Sequence, residues 1–193
     1  MGKILHLNVS KGVKSHIEKG FLHGVIQCLR HSSVNWDVAD QKTYDEKKEY
    51  NEFITILGTI VSKEFFEHVG PIFEEFEGTW GVYVVKRAIT PYRERERTVF
   101  GVTDTNFSGG TAIILLSQKT LLGGANKHEY ARAAMVGYHE AGEALKRGKL
   151  RHCPAGTMCV FQKGTNLHEL DKLAKYFLSH DEDFPVCERH ARL

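Results

Sequence analysis

The sequence predicts an α/β protein: a mixed, twisted sheet with helices packed on it, a long helix, and a small C-terminal subdomain rich in cysteine and histidine. Three observations predict this. Strand-like and helix-like segments alternate through residues 1–148, which is typical of a helix-covered sheet. The last helix predicted within residues 1–148, over 127–147, is long enough to hold a functional site. Beyond it, residues 149–193 are rich in Cys, His, Pro and Gly, and three of the four cysteines lie there.

The first part of the chain opens with alternating apolar residues that predict a strand over 4–9. Apolar residues at i+4 steps then predict a helix over 13–30, with Cys28 beside its buried stripe. A second alternating segment predicts a strand over 34–38. The β-branched residues of 53–61 predict a buried strand.

The next elements follow the same patterns. Phenylalanines at helical spacing predict a helix over 63–76, kinked or split at Gly70-Pro71. Strands are predicted over 80–86, 98–103 and 111–117. Residues 1–148 and 149–193 are therefore expected to form two subdomains of one compact domain. The second is too short to bury a sufficient apolar core, so a metal would explain its stability.

Composition excludes several classes of function. Hydrophobic residues make up 41% of the 193 residues and the net charge is only +2, so a mainly disordered chain is excluded. Charges alternate in sign in the densest basic run, 92–97, which indicates a solvated loop or strand edge and not a nucleic-acid site. No apolar stretch is long enough to span a membrane, and the first residues do not resemble a secretory signal. We expect a cytoplasmic monomer with reduced cysteines that binds neither nucleic acid nor membrane.

The centre of the long helix carries residues suited to metal chemistry. His139 and Glu143 are four residues apart, so they share a helix face and can reach one ion. In zinc hydrolases with His-Glu-x-x-His, the glutamate beside the first histidine is the general base, which here is Glu140. A bare His-Glu pair is weak evidence. The cysteines and histidines that follow it make it stronger.

The C-terminal half resembles the archaemetzincins, zinc-dependent peptidases of the metzincin clan. Their signature is His-Glu-x-x-His-x-x-Gly-x-x-His-Cys, followed by Cys-x-Met and Cys-x-x-Cys. The family's first three cysteines fall on Cys153, Cys159 and Cys187, and His190 stands at the fourth. Residues 99–104 are similar to the family's Leu-Gly-Val-Thr-Asp strand. The resemblance implies a structural zinc in this Cys3His set and leaves room for a second, catalytic zinc.

The catalytic half of the signature is degenerate. Glu143 replaces the second histidine, which gives a His139, Glu143, His152 ligand set, and two histidines with one glutamate do form catalytic zinc sites. His152 lies nine residues beyond Glu143 where the family has six. Three extra helical residues would move the helix end by about 4.5 Å. His152 can therefore reach the ion only if the insertion loops out or the turn at Gly148 bends back. Phe161 replaces the family's methionine, and Met158 is a nearby substitute.

Three interpretations remain open at this point. The first is a working zinc peptidase with Glu140 as general base, acting on a peptide or protein substrate. The second is an inactive relative that keeps the structural zinc and binds a peptide or protein. The third is an α/β protein in which His139-Glu140 is a solvated helix face. In either of the first two, an extended peptide would add to the sheet edge above the long helix.

Overall fold

The computed structural model describes residues 2–74, 76–91 and 98–191. Their strands and helices, in chain order, are β1 (Lys3–Ser10), α1 (Ser15–His31), β2 (Trp36–Tyr44), α2 (Glu46–Glu49), β3 (Ile60–Val61), α3 (Ser62–Glu74), β4 (Thr79–Val85), β5 (Ile89–Thr90), β6 (Gly101–Asp104), β7 (Ala112–Ser117), α4 (Asn126–Lys146) and α5 (Leu167–Ser179). Short 3₁₀ turns connect several of them. The predicted fold class, a mixed sheet packed with helices, is confirmed.

The main sheet has five strands in the order β2-β1-β4-β7-β6. The first four run parallel, and β6 pairs antiparallel with β7 at the edge. A separate two-stranded parallel sheet joins β3 and β5. Among the described residues, β6 is one edge strand of the main sheet and β2 is the other. Another extended chain could therefore add on the outer edge of β6.

Helices cover both faces of the sheet, and β7 shows how the faces alternate. Ala112, Ile114 and Leu116 belong to the apolar cluster on the side of α1 and α4. Ile113 and Leu115 belong to the cluster on the side of α3. All six residues of β7 are buried, as expected of a strand covered on both sides.

Helices α1 and α4 pack closely because glycines line their contact. A Cβ at Gly24 would overlap the carbonyl oxygen of Ala134, and one at Gly137 would overlap that of Phe21. This close packing fixes the position of α4 relative to α1. Three histidines of α1 also contact α4: His16 bonds to Glu129, His23 to the Tyr130 hydroxyl and His31 to the Tyr138 hydroxyl.

Two predicted elements of the first part are corrected. The strand predicted over 53–61 is only Ile60–Val61, because the chain turns between Thr55 and Thr59 and leaves Ile56 and Leu57 exposed. The helix predicted over 63–76 is not split at Pro71, since α3 continues through it to Glu74. The charged run 92–97 lies outside the described residues.

The C-terminal part contains a helix that the sequence patterns did not reveal. Helix α5 begins with a capping box in which Asn166 accepts from the backbone N–H of Glu169, and Glu169 accepts from that of Asn166. Leu170, Leu173 and Phe177 are buried in the same cluster as α1 and α4. Through α5, the C-terminal part therefore shares the main apolar core.

Among the described residues, no helix combines the length and apolar character needed to cross a membrane.

Candidate metal centre

Helix α4 and the turn after it bring together three potential metal ligands. His139 and Glu143 lie one helical turn apart on the same face. After α4 the chain reverses through Arg147 and Gly148, both with positive φ (51° and 66°), and the N–H of Gly148 bonds to the carbonyl of Glu143. The reversal returns His152 to the helix. The turn at Gly148 thus bends back, which is one of the two ways in which the sequence allowed His152 to reach the ion.

The spacing of these ligand atoms suits a zinc ion. His152 Nε2 lies 2.8 Å from Glu143 Oε1 and 3.4 Å from His139 Nε2. Tetrahedral zinc with ligands at its usual bond lengths separates nitrogen and oxygen ligands by about 3.3 Å. We call His139, Glu143 and His152 the His2Glu triad. All its ligand atoms lie within 4.8 Å of one another.

The first ligand of the triad is also oriented for metal binding. His139 Nδ1 lies 2.9 Å from the carbonyl oxygen of Val160, so the proton sits on Nδ1 and Nε2 is free to coordinate. Burial lowers the pKa of His139, against the opposing effects of the Val160 carbonyl and the Glu143 carboxylate. The neutral imidazole, which is the form that binds a metal, is thereby favoured.

Glu140 lies beside the triad, buried between α4 and the edge strand. The Thr103 hydroxyl on β6 donates to Glu140 Oε2 at 2.7 Å, and the side chain packs on Gly101, where a Cβ would lie 2.8 Å from Glu140 Cγ. Burial raises the pKa of Glu140 to about 7, opposed by the Thr103 hydrogen bond and assisted by the Glu143 carboxylate. His139-Glu140 is therefore not a solvated helix face, and the third interpretation of the sequence is excluded.

A second set of ligands lies close by. Cys153, Cys159, Cys187 and His190, here called the Cys3His cluster, also have all ligand atoms within 4.8 Å of one another. The sulfurs of Cys153 and Cys187 are 3.4 Å apart, and His190 Nδ1 lies 3.1 to 3.7 Å from the three sulfurs. These separations are slightly shorter than the edges of a zinc tetrahedron with thiolate ligands, about 3.8 Å, so the four groups lie close to a zinc-binding arrangement. His190 Nε2 bonds to the carbonyl of Arg151, which leaves Nδ1 for coordination.

The electrostatics of the cluster favour a cation. Burial and the neighbouring thiols raise the pKa of Cys153 to about 12, and burial together with Cys187 raises the pKa of Cys159. Burial would raise the pKa of Cys187 as well, but hydrogen bonds with His190, Cys153 and Cys159 lower it to about 6. One thiol can thus lose its proton readily. The next thiol resists ionisation because two negatively charged thiolates would then face each other. A divalent cation removes that conflict.

An open cleft borders the His2Glu triad. A cavity of about 480 Å³ lies between α4, α5, the residues before β6 and the loop after Val160. A smaller cavity of about 240 Å³ continues on the other side of Glu140, towards Gly148. The larger one is lined by His139, Glu140, His152 and apolar side chains that include Met135, Val136, Leu170 and Leu173, with Lys163 among its polar residues.

Several features of the site could not be predicted from the sequence patterns. Phe161, which stands at the family's methionine position, is fully buried with its ring centroid 5.9 Å from that of His139. Met158 is half exposed and does not replace it. Thr103 and the Val160 carbonyl were not expected to support Glu140 and His139. The only signal for Thr103 was its place in the family-like strand segment.

Comparisons with known proteins agree with the geometry. No family model matches the sequence, and no curated protein matches it. Solved structures do match. An archaemetzincin from Methanopyrus kandleri has a TM-score of 0.66 and 16% identity over 98% of this chain and 92% of that one. A zinc-dependent peptidase from Methanocorpusculum labreanum has a TM-score of 0.57 and 15% identity, over 96% of this chain and 97% of that one.

An archaemetzincin from Archaeoglobus fulgidus, solved in complex with malonate, has a TM-score of 0.50 and 18% identity over 98% of each chain. The similarity extends over nearly the whole chain, including the first half, where the sequence resemblance stopped. At this identity it establishes the fold. The chain therefore has the archaemetzincin fold, as the resemblance carried by its cysteines and histidines implied.

Proposed function

We propose that this chain is a zinc-dependent peptidase of archaemetzincin type. The observation that carries the proposal is the convergence of the His2Glu triad with the buried carboxyl group of Glu140 beneath the edge strand β6. His139, Glu143 and His152 would hold the catalytic zinc, and the Cys3His cluster would hold a structural zinc. The structural neighbours, an archaemetzincin and a zinc-dependent peptidase among them by name, support this assignment.

The residues around the triad have distinct roles in this proposal. A bound zinc supplies the Lewis acid that polarises a peptide carbonyl and acidifies water. Glu140 accepts the proton of the attacking water and passes it to the leaving amine. Thr103 fixes the Glu140 carboxylate through its 2.7 Å hydrogen bond. The outer edge of β6, which pairs with no other strand among the described residues, would orient an extended substrate by backbone hydrogen bonds.

The larger cavity fits a side chain of such a substrate. Its apolar lining, with Met135, Leu170 and Leu173, favours an apolar side chain, which would lose its hydration on entering. Lys163 would suit a polar or acidic group near the same cavity. We therefore propose a peptide or protein substrate with an apolar residue beside the cleaved bond.

Glu143 favours one alternative function. As an anionic ligand it leaves the zinc less positive than a third histidine would, so bound water is less acidic. An inactive relative that keeps the structural zinc and binds peptides along β6 is therefore the second candidate. Both candidates use the same edge and cavity, and they differ only in turnover.

The Glu140→Gln variant separates the two. Glutamine keeps the size of the side chain and the acceptor for Thr103 but cannot take a proton. We expect peptide hydrolysis to fall by roughly a hundredfold or more, with metal content and peptide binding unchanged. The exposed His180→Ala variant is the control and should keep full activity. Wild-type protein that binds zinc and peptides but shows no cleavage beyond Glu140→Gln would favour the inactive relative.

Two further parts of the proposal concern organisation and location. Residues 1–148 and 149–193 would act as two subdomains of one catalytic domain, with the cleft between them. The three cluster cysteines must be reduced to bind zinc, and this supports a reducing compartment such as the cytoplasm. A protein isolated with these cysteines oxidised would contradict it.

A further inference from the structure

The two metal centres share one short segment of chain. His152 is a triad residue and Cys153 a cluster residue, and they are consecutive. A trans peptide fixes their Cα atoms about 3.8 Å apart. Any movement of Cys153 relative to the other cysteines is therefore transmitted directly to the third ligand of the triad.

A second connection runs through Cys159 and Val160. Cys159 belongs to the cluster, and the carbonyl of the next residue, Val160, accepts from His139 Nδ1 at 2.9 Å. The N–H of Val160 donates to the carbonyl of Pro185, two residues before Cys187. The group that orients the first triad ligand is thus tied to the cluster on both sides.

Further contacts make the segment one unit. The N–H of Cys153 donates to the carbonyl of Phe161, and the cluster residue His190 bonds to the carbonyl of Arg151, which precedes His152. The Phe161 ring lies between the two centres, with centroids 5.0 Å from His190 and 5.9 Å from His139. Gly142 on α4 makes room for it, since a Cβ there would overlap the ring.

From these connections we propose that the segment 151–161 makes the Cys3His cluster the positioning element of the His2Glu triad, so that metal binding at the two centres is positively coupled. A metal that draws three thiolates together fixes Cys153 and Cys159, and with them His152 and the Val160 carbonyl. We expect a coupling factor of about tenfold or more. The coupling rests on the metal binding proposed above and not on hydrolysis.

Burial offers a competing account. Val160 and Phe161 are almost completely buried, so apolar packing alone could hold the segment. In that case the two affinities would be independent. The metal affinities of the triad and the cluster, measured in matched variants, decide between the two accounts.

The first measurement is the zinc affinity of the triad, obtained by competition with a chromophoric chelator. Wild-type protein with its cluster filled is compared with Cys187→Ser, which removes the most exposed cysteine of the cluster. We expect zinc to bind the triad at least about tenfold more weakly in Cys187→Ser. Cys28→Ala removes a buried thiol that belongs to neither set of ligands and should leave the triad affinity unchanged.

The reciprocal measurement does not require the cluster to be damaged. Linkage demands that loss of the triad metal weaken the cluster by the same factor. Cobalt bound to thiolates has a charge-transfer absorption that reports the cluster alone. We expect the cluster of Glu143→Ala to bind cobalt more weakly than the cluster of the wild type. The loss should equal the loss of triad affinity in Cys187→Ser.

If Cys187→Ser fails to fold, the Glu143→Ala comparison decides the proposal. Equal cluster affinities in Glu143→Ala and wild type, or a single metal site in the wild type, would overturn the coupling. Neither outcome depends on turnover. A protein that couples its two metals yet cleaves no peptide would refute the peptidase and leave the coupling standing.

Discussion

At the scale of single residues, the candidate site depends on how each ligand is held. His139 and His190 each use one ring nitrogen to bond a backbone carbonyl, of Val160 and Arg151 respectively, and turn the other towards their partners. Glu140 is buried and held by Thr103. Such supporting contacts fix side-chain orientation, which metal binding and proton transfer both require.

Removal of the Thr103 hydroxyl tests this support. In Thr103→Val the carboxylate of Glu140 keeps its burial but loses a donor, so it is free to turn away from the reacting water. We expect kcat to fall roughly tenfold or more, with zinc content and KM little changed. Thr103→Ser, which restores the donor, should recover most of the rate. A Thr103→Val protein with wild-type kcat would show that the hydrogen bond has no role in catalysis.

The two groups of candidate ligands could be predicted from the sequence because their residue types and spacing are unusual. His139 and Glu143 follow from helical geometry, and the cysteines from their order. The supports could not be predicted in the same way. The carbonyl of Val160 carries no side-chain signal, and the pairing of Thr103 with Glu140 depends on how β6 lies over α4.

At the scale of elements, α1 and α4 are joined by a buried carboxylate as well as by glycines. Glu129 in the first turn of α4 accepts from the backbone N–H of Gly123 and pairs with His16 and Lys14. Burial alone would raise the pKa of Glu129, but these three partners lower it to about 2. The charged form is thus tied to the packing of the two helices.

The stability contributed by Glu129 should depend on pH. Because the pKa is lower in the folded than in the unfolded chain, the contribution is present above about pH 4.5 and is lost as pH falls towards 2. The shift corresponds to about 3 kcal/mol in the free energy of unfolding. Denaturant unfolding should give free energies of unfolding for wild type and Glu129→Gln that differ at pH 7 and converge in acid. A difference in free energy that stays constant down to pH 2 would contradict this role.

The elements show where sequence patterns are sufficient. Strands β1, β4 and β7 and helices α1 and α4 have clear periodicity and were predicted close to their observed positions. The prediction of a strand over 53–61 was wrong because the chain turns within this β-branched segment and leaves Ile56 and Leu57 exposed. Helix α5 was missed because its charged residues mask four buried positions, Leu170, Leu173, Ala174 and Phe177.

At the scale of the whole molecule, the C-terminal part is held in two ways. Helix α5 packs into the main apolar core, and the segments 151–162 and 184–190 surround the Cys3His cluster. Removal of zinc should therefore loosen those two segments and leave α5 in place. We expect a chelator to speed amide hydrogen exchange in 151–162 and 184–190, with α5 still protected. Simultaneous opening of α5 would mean that the metal holds the entire C-terminal part.

The central claim is that one chain holds two zinc centres built from different ligands. Metal analysis of purified protein tests it most directly, with the wild type compared with His139→Ala and Cys187→Ala. We predict two zinc ions per wild-type chain and no more than one in His139→Ala, with the thiolate-bound ion retained and weakened. The ion at the cluster should be lost in Cys187→Ala. One ion per wild-type chain, unchanged by His139→Ala and lost in Cys187→Ala, would contradict the claim of a catalytic metal.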